Sequence, residues 1–296
     1  MLKKNLNLSD KPLVSVCMIT YNHEKYIAEA IEGVLMQEVD FEVELIIADD
    51  CSTDRTGEIV KSFIETHPRG NWIKYTYHQE NRGMMSNFIW AMEQCQGEYI
   101  ALCEGDDYWI DKRKLRKQTN FLLENSEFSL VSHYSKKIIF DSCDFQTFGK
   151  LYRDVYDLND PDYHFLAIPT ASIVFRNVIK FPLWVYKVYA GDRALIFLAS
   201  HYGKIKVLDF YGAIYRVHHN GIEQKYKKDK FSLPRRNLTE YPVYYNLALP
   251  KFKNRIARKI AWNHFYLSIQ YFLNFKIFRL IEHITKSMVW RIKSIS

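Results

Sequence analysis

The chain has 296 residues, of which 48% are hydrophobic, 25% charged and 16% aromatic, with 11 Gly and 8 Pro; this excludes a collagen, a low-complexity chain and an intrinsically disordered one. At roughly 100 to 200 residues per domain it makes two lobes, or one large α/β domain with an appendage. The net charge of +7 is concentrated: residues 247–296 hold ten Lys/Arg against the single acid Glu282, which leaves a net −2 on the rest.

The five cysteines, at 17, 51, 95, 103 and 143, include no C-x-x-C pair, so neither a disulfide framework nor a zinc ribbon is indicated and a reducing compartment fits best. Met1–Asn7 lacks the apolar stretch of a signal peptide. The longest uncharged stretch, Ile260–Phe275, carries Asn263, His264, Gln270 and Asn274 and so is not expected to span a membrane, which takes roughly 18 apolar residues.

In chain order, strand and helix signals alternate over the first 125 residues at the spacing of βαβ units with a parallel sheet. Leu13–Thr20 reads as a buried strand that ends in the turn Tyr21-Asn22-His23. Glu24–Gln37 is a helix with Ile27, Ala30, Ile31, Val34 and Leu35 on one face. Val43–Ala48 is the second strand; Ser52 or Thr53 in the loop after it can cap a helix starting near Asp54. Trp72–Tyr77 is a third strand, Ser86–Gln96 a helix closed by Gly97 at its C′ position, and Glu98–Cys103 a fourth strand running into Glu104-Gly105-Asp106-Asp107. Asp111 then reads as the N-cap of a basic helix ending near Glu124. Three polar clusters, 20–22, 49–50 and 104–107, thus fall at the carboxyl ends of strands, where open α/β sheets bind ligands.

Beyond residue 125 the pattern predicts strands at Phe128–Tyr134, Ser172–Phe175, Ile205–Leu208 and Ala213–Val217, and a helix over Asp192–His201. After a loop around Lys225–Pro234, the chain from Lys251 onward is helical in pattern. Trp262, Phe265, Tyr266, Ile269, Phe272, Leu273, Ile277, Leu280 and Ile284 fall on one broad face. That face can dock on the body or lie in a membrane interface. The basic, aromatic tail suits an anionic lipid surface in preference to nucleic acid, for which no motif is present; a solvated helix face is the plain alternative.

Val14–Asn22, Ile46–Asp54 and Tyr99–Trp109, in this order and spacing, resemble the family 2 glycosyltransferases of the GT-A fold. The resemblance covers about Pro12–Tyr134 and continues more thinly to about Gly221. It implies an α/β, Rossmann-like, mostly parallel sheet flanked by helices, with a C-terminal helical extension. The division expected is a glycosyltransferase domain at 1–224 (nucleotide-binding half about 12–125, acceptor half about 126–224) and a basic, aromatic extension at 225–296.

The resemblance also implies roles. A nucleotide-diphosphate donor needs its base held, its ribose fixed and its diphosphate charge neutralised. Thr20, Tyr21 and Asn22 would line the donor site, Tyr21 stacking on the base, and Asp50 would accept a hydrogen bond from a uracil-type imide. The alternative is a simple turn and a loop-capping Asp. Glu104-Gly105-Asp106-Asp107 falls where the family has D-x-D, with Glu104 in place of the first Asp. Asp106, with Asp107 second, would hold Mg²⁺ or Mn²⁺, hard cations that favour oxygen ligands. Asn81 and Arg82 lie in the loop that lines the donor pocket in the family, where an Arg can meet phosphate; Asn87 beyond it reads equally as a buried structural amide. Gly191-Asp192 resembles the later acidic motif, making Asp192 the general base, with a plain N-cap as its alternative. In Tyr215–Gly221, Arg216 would reach the leaving diphosphate and His218 the metal shell.

The function implied is inverting, metal-dependent transfer of a sugar from a nucleotide-diphosphate donor, UDP-linked, to a glycan or lipid-linked acceptor in cell-surface polysaccharide synthesis. The location expected is cytoplasmic, with a peripheral hold on the inner face of the cell membrane. A catalytically silent nucleotide-sugar-binding or scaffold protein at a membrane is the alternative. A nucleotidyltransferase fits poorly, because Ile19–Lys25 has no Gly to form a phosphate loop.

Overall fold

The computed structural model describes residues 12–140, 142, 144–160, 166–219, 221, 224 and 229–295. The readings of Met1–Asn7, Cys143 and the start of the 225–234 loop lie outside them. The chain forms two compact units, one of residues 12–181 and 192–216, the other of 182–191 and 217–295.

In the first unit, β1 (Val14–Thr20), β2 (Val43–Asp49), β3 (Ile73–Tyr77) and β4 (Tyr99–Leu102) are parallel neighbours in the order β3-β2-β1-β4. The register sets Val14 against both Val43 and Tyr99 and Thr20 against Asp49. The inner strands β1, β2 and β4 are mostly apolar because both faces are covered, all seven residues of β2 being buried, whereas the edge strand β3 is partly exposed. The crossovers are α1 (Ile27–Leu35), α2 (Thr56–Thr66) and α3 (Met84–Gln94). The expected apolar face of α1 is buried in full.

The sheet then changes character. β9 (Val174–Arg176) joins β4 antiparallel, and the order continues through β6 (Phe128–Ile139) and β10 (Lys204–Val217) to β5 (Tyr108–Trp109). The short β7 (Phe145–Phe148) and β8 (Val155–Tyr156) pair with β6 and β10. α4 (Lys114–Glu124) and α5 (Gly191–Ala199) complete the unit's long elements. The two strands expected at 205–208 and 213–217 are one. Gly212 lets the ladder run on, since a Cβ there would sit 2.6 Å from the His133 ring, and its carbonyl accepts the Ile110 N–H.

Three local expectations are corrected. α3 ends in an extended Cys95, so Gly97 is not its cap; Gly97 lies against β1, where a Cβ would be 2.5 Å from the Ser15 nitrogen. Asp111 precedes the cap of α4, which is Arg113, and its carboxylate accepts the Arg113 N–H. Neither Ser52 nor Thr53 caps α2: the Thr56 N–H and hydroxyl both donate to Asp54, while Ser52 Oγ accepts the Asn22 N–H.

The second unit contains α6 (Ser232–Leu247), α7 (Pro250–Leu273) and α8 (Ile277–Lys293). α6 escaped the sequence reading because Pro242 lies inside it and its polar residues blur the apolar period. Glu240 of α6 accepts the Tyr189 and Ala190 N–H groups, fixing the 182–191 segment. The helical stretch from Lys251 breaks at Phe275, whose φ is 55°, and α8 turns back along α7. The packed face of α7 is Ile256, Ile260, His264, Leu267 and Tyr271; of the stripe read from sequence, Trp262, Phe265, Ile269, Phe272, Leu273, Ile277 and Ile284 are exposed. Among the described residues no helix is long and apolar enough to cross a membrane.

Across the α7–α8 seam, the Nδ1 atoms of the buried His264 and His283 are 2.8 Å apart. Burial, then the charges of His283 and Lys286, push His264 down to about 4. Between pH 6.5 and about 4 the unfolded chain therefore binds a proton the folded chain refuses, so stability is full at neutral pH and falls as pH drops, by up to roughly 3 kcal/mol. Urea unfolding at about pH 7.5 and about pH 5 should show this loss, and His264→Gln should flatten it. An equal loss in both proteins would remove the histidine pair as its source.

Candidate functional site

The carboxyl ends of β1, β2 and β4 are laced together. The Asp50 N–H donates to the Thr20 carbonyl at 2.9 Å and the Gly105 N–H to the Ile19 carbonyl at 3.0 Å. Asn22 sits at the turn after β1 with φ 55°, a left-handed conformation Asn tolerates. Its amide oxygen accepts the Thr53 N–H at 2.8 Å, tying the first strand-end loop to the second, and His23 N–H adds a bond to Thr56 Oγ1. Tyr21 is left exposed at the rim.

Asp49 and Asp50 are both buried and both engaged. Asp49 accepts from the Ser52 N–H and the Tyr75 hydroxyl, and burial plus this carboxylate raise the Tyr75 phenol. Asp50 accepts the Arg82 N–H at 2.7 Å on one oxygen and the Gly83 N–H at 3.0 Å on the other, while Asn81 donates to its carbonyl. The Asp50 carboxylate therefore positions the 81–83 loop, and each oxygen retains a lone pair for a further donor. Asn87 is spent on His78 and the Ala48 carbonyl, a buried structural amide.

The loop after β4 holds the acids. Gly105 is pressed against Thr20, where a Cβ would lie 2.7 Å from its hydroxyl. Asp106 is partly exposed, with His23 Nε2 at 3.9 Å from its carboxylate. Asp107 is buried; one oxygen accepts the Arg216 N–H at 2.9 Å and the other has no hydrogen-bond partner among the described residues. The Arg216 guanidinium donates to the Asp106 carbonyl, pairs with Glu29 and lies over the rings of Tyr108 and Tyr26. Asp192 stands in the first turn of α5, partly exposed, accepting the Arg193 N–H at 2.8 Å.

Electrostatics joins these groups. Burial first, then the charges of Asp106 and Asp192, push Glu104 up to about 8, against a lowering hydrogen bond from Thr170. Burial, Asp106 and Glu104 raise Asp107, and Arg216 opposes them. Asp192 thus belongs to the same field as the loop after β4, although 86 residues separate it from Asp106 in the sequence. Crowded carboxylates that resist ionisation fit a divalent cation with hard oxygen ligands, and the buried unpartnered oxygen of Asp107 is a polar atom of the right kind.

Of the residues singled out from sequence, Thr20, Tyr21, Asn22, Asp50, Asn81, Arg82, Asp106, Asp107, Asp192 and Arg216 all belong to the first unit; His218 is buried just beyond β10, in the second. The sequence reading missed His23 as a neighbour of Asp106, Thr170 on Glu104, and Glu29 on Arg216. Only His23 carried a signal, adjoining the Tyr21-Asn22 turn. The Glu29–Arg216 pair spans 187 residues and has no trace in sequence.

The profile of glycosyl transferase family 2 matches residues 15–181. An uncharacterized protein of Mycobacterium tuberculosis is 35% identical over 211 residues, 71% of this chain and 60% of its own length; the match spans less than two thirds of that relative. A putative teichuronic acid biosynthesis glycosyltransferase of Bacillus subtilis, TuaG, is 40% identical over 116 residues, 39% of this chain and 44% of its own. Among solved structures, Staphylococcus aureus TarS with UDP-GlcNAc superposes with a TM-score of 0.68 at 21% identity, covering 94% of this chain and 81% of that one. A Pyrobaculum calidifontis mannosyltransferase with GDP-Man and Mn²⁺ gives 0.59 at 16%, covering 93% and 74%. These two likenesses show the fold.

Proposed function

Since the chain belongs to glycosyl transferase family 2 and is a glycosyltransferase, we propose that it is an inverting, metal-dependent enzyme that moves a sugar from a nucleotide-diphosphate donor, UDP-linked, to a glycan or lipid-linked acceptor in cell-surface polysaccharide synthesis. The observation that carries this reading is the convergence of Glu104, Asp106 and Asp192: the buried Glu104, in the loop after β4, feels the charges of both Asp106 and the helix-start Asp192. The donor side is assigned to about 12–125 and the acceptor side to about 126–224, with 225–296 as the extension.

Asp192 takes the proton of the acceptor hydroxyl as that oxygen bonds to the anomeric carbon and the bond to the diphosphate breaks, which inverts the configuration. Tyr21, exposed at the rim, stacks on the base; Asp50 accepts from the base through a remaining lone pair while its other bonds hold Asn81 and Arg82 in place. Arg216, clasped to the 106–108 loop, keeps the acidic loop oriented beside the diphosphate. Asp106, with Asp107 and His218 as further candidates, would hold Mg²⁺ or Mn²⁺, which supplies charge neutralisation to the departing diphosphate. The extension attaches the enzyme peripherally to anionic lipid at the inner face of the cell membrane; its ten basic residues and its exposed aromatic and aliphatic side chains support this.

Calorimetric titration of UDP, dTDP, GDP and CDP, with and without Mn²⁺, tests the reading. The expected result is binding of UDP that tightens by about tenfold or more with the metal. Failure of all four to bind would sink the donor assignment.

A further inference from the structure

Within the second unit, a cavity of about 530 Å³ is lined by Arg235, Tyr271, Lys276, Arg279 and His283. Among the described residues no carboxylate lines it, and its size suits a small ligand. The Arg235 guanidinium is held in advance: it donates to the Tyr271 hydroxyl at 2.8 Å and lies 5.1 Å from the Phe231 ring centre. That leaves most of its planar fork of N–H groups for a ligand, the geometry that recognises phosphate. The acid Arg235 influences, Asp229, is already bonded to the Phe231 N–H and Ser232 hydroxyl, and Glu282 is bonded to Arg279 and Lys286. Lys276 stands exposed at the start of α8.

The charged groups that line the cavity, Arg235, Lys276 and Arg279, are all cations. His283 is held below its ordinary value by burial first; Glu282, the largest charge effect on it, opposes this, and Lys286, Arg279 and Arg235 add to the lowering. A second cavity, of about 410 Å³, shares Arg235 and His283 and continues past Leu267 to Lys286 and Trp290. Beside these basic walls the α7–α8 turn exposes Phe272, Leu273, Phe275, Ile277, Phe278 and Ile281, with Phe275 91% and Phe278 92% accessible. Cations bordering a run of exposed large apolar side chains match the pairing of headgroup and acyl chain at a membrane surface. A soluble phosphate would leave that apolar tip without a role.

We propose that the cavity of Arg235, Tyr271, Lys276, Arg279 and His283 binds the phosphate of a lipid headgroup while the α7–α8 turn enters the acyl region. This rests on the peripheral-attachment reading and adds to it a discrete site with stated ligands.

The test uses the full chain and vesicles of phosphatidylcholine with or without phosphatidylglycerol, read by co-sedimentation and by the histidine NMR signals. The wild-type chain should bind the anionic vesicles, and the His283 titration should move to higher pH on binding. Arg235→Gln with Lys276→Gln should weaken binding about tenfold or more, whereas Lys251→Gln with Lys253→Gln, the same loss of charge outside the cavity, should stay within about twofold. Lys276→Gln alone, an exposed change that leaves packing intact, should weaken it about threefold. Equal weakening by both pairs would overturn the site and leave diffuse attachment standing. No binding to either vesicle would overturn both readings. A His283 signal that responds to inorganic phosphate and not to vesicles would overturn the lipid assignment.

Discussion

Asp192→Asn is expected to lower kcat by about 10² to 10⁴, the range for loss of a positioned general base, while the nucleotide affinity stays within about threefold of wild type. The split follows from the site. Asp192 is in the first turn of α5 and accepts the neighbouring Arg193 N–H, a bond an amide oxygen can also accept, so the variant should keep the helix start intact. Its charge, however, is part of what raises Glu104, so the variant should also let Glu104 ionise at lower pH. In the metal-free variant the titration of the Glu104 carboxyl should therefore move toward lower pH. Single-turnover kinetics with a saturating donor checks the first point and a pH series the second. A kcat within a few-fold of wild type would move the base elsewhere.

The second large effect is expected for Asp106→Asn. If Asp106 is the principal oxygen ligand of the divalent ion, the variant should lose the metal-dependent part of donor binding and about 10² to 10³ of kcat/KM, the several kcal/mol a Lewis acid supplies. Chelation of the metal from the wild-type enzyme should give a similar fall, and the two losses should not add, since they remove one interaction. Measuring kcat/KM for both proteins across a Mn²⁺ series checks this. Full additivity, or a variant that responds to Mn²⁺ as the wild type does, would assign the ion to other residues.

The parallel half of the sheet was legible because burial on both faces leaves its strands as plain apolar runs, as in Val43–Asp49. The strand-end acids were legible for the same reason: Asp49, Asp50, Glu104, Asp106 and Asp107 interrupt those runs abruptly. What each carboxylate does with its oxygens was not. That the Asp50 oxygens would meet the N–H groups of Arg82 and Gly83 depends on where the following loop returns, and sequence spacing has no term for that. The antiparallel half was harder, since β5 and β8 are two residues each and take their place from partners far along the chain. In the tail, helical periodicity identified an apolar stripe but not which stripe faces inward. α7 has enough apolar residues on both sides to satisfy either choice, and packing against α6 and α8 selected Ile256, Ile260 and Leu267.

The bonds that lace the strand-end loops differ sharply in how much chain they close. Asn22 to Thr53, His23 to Thr56 and Asp50 to Arg82 each enclose about thirty residues, so their ordering entropy is modest and they form as soon as β1 to β3 associate. Arg216 to Asp107 encloses 109 residues and Arg216 to Glu29 encloses 187. During synthesis the β1 to β3 segment can therefore assemble on the nascent chain before the arginine clasp arrives. The acidic loop of a half-made chain stays unclasped until β10 has emerged and paired, so the clasp comes after the strand-end loops of β1 to β3 have met.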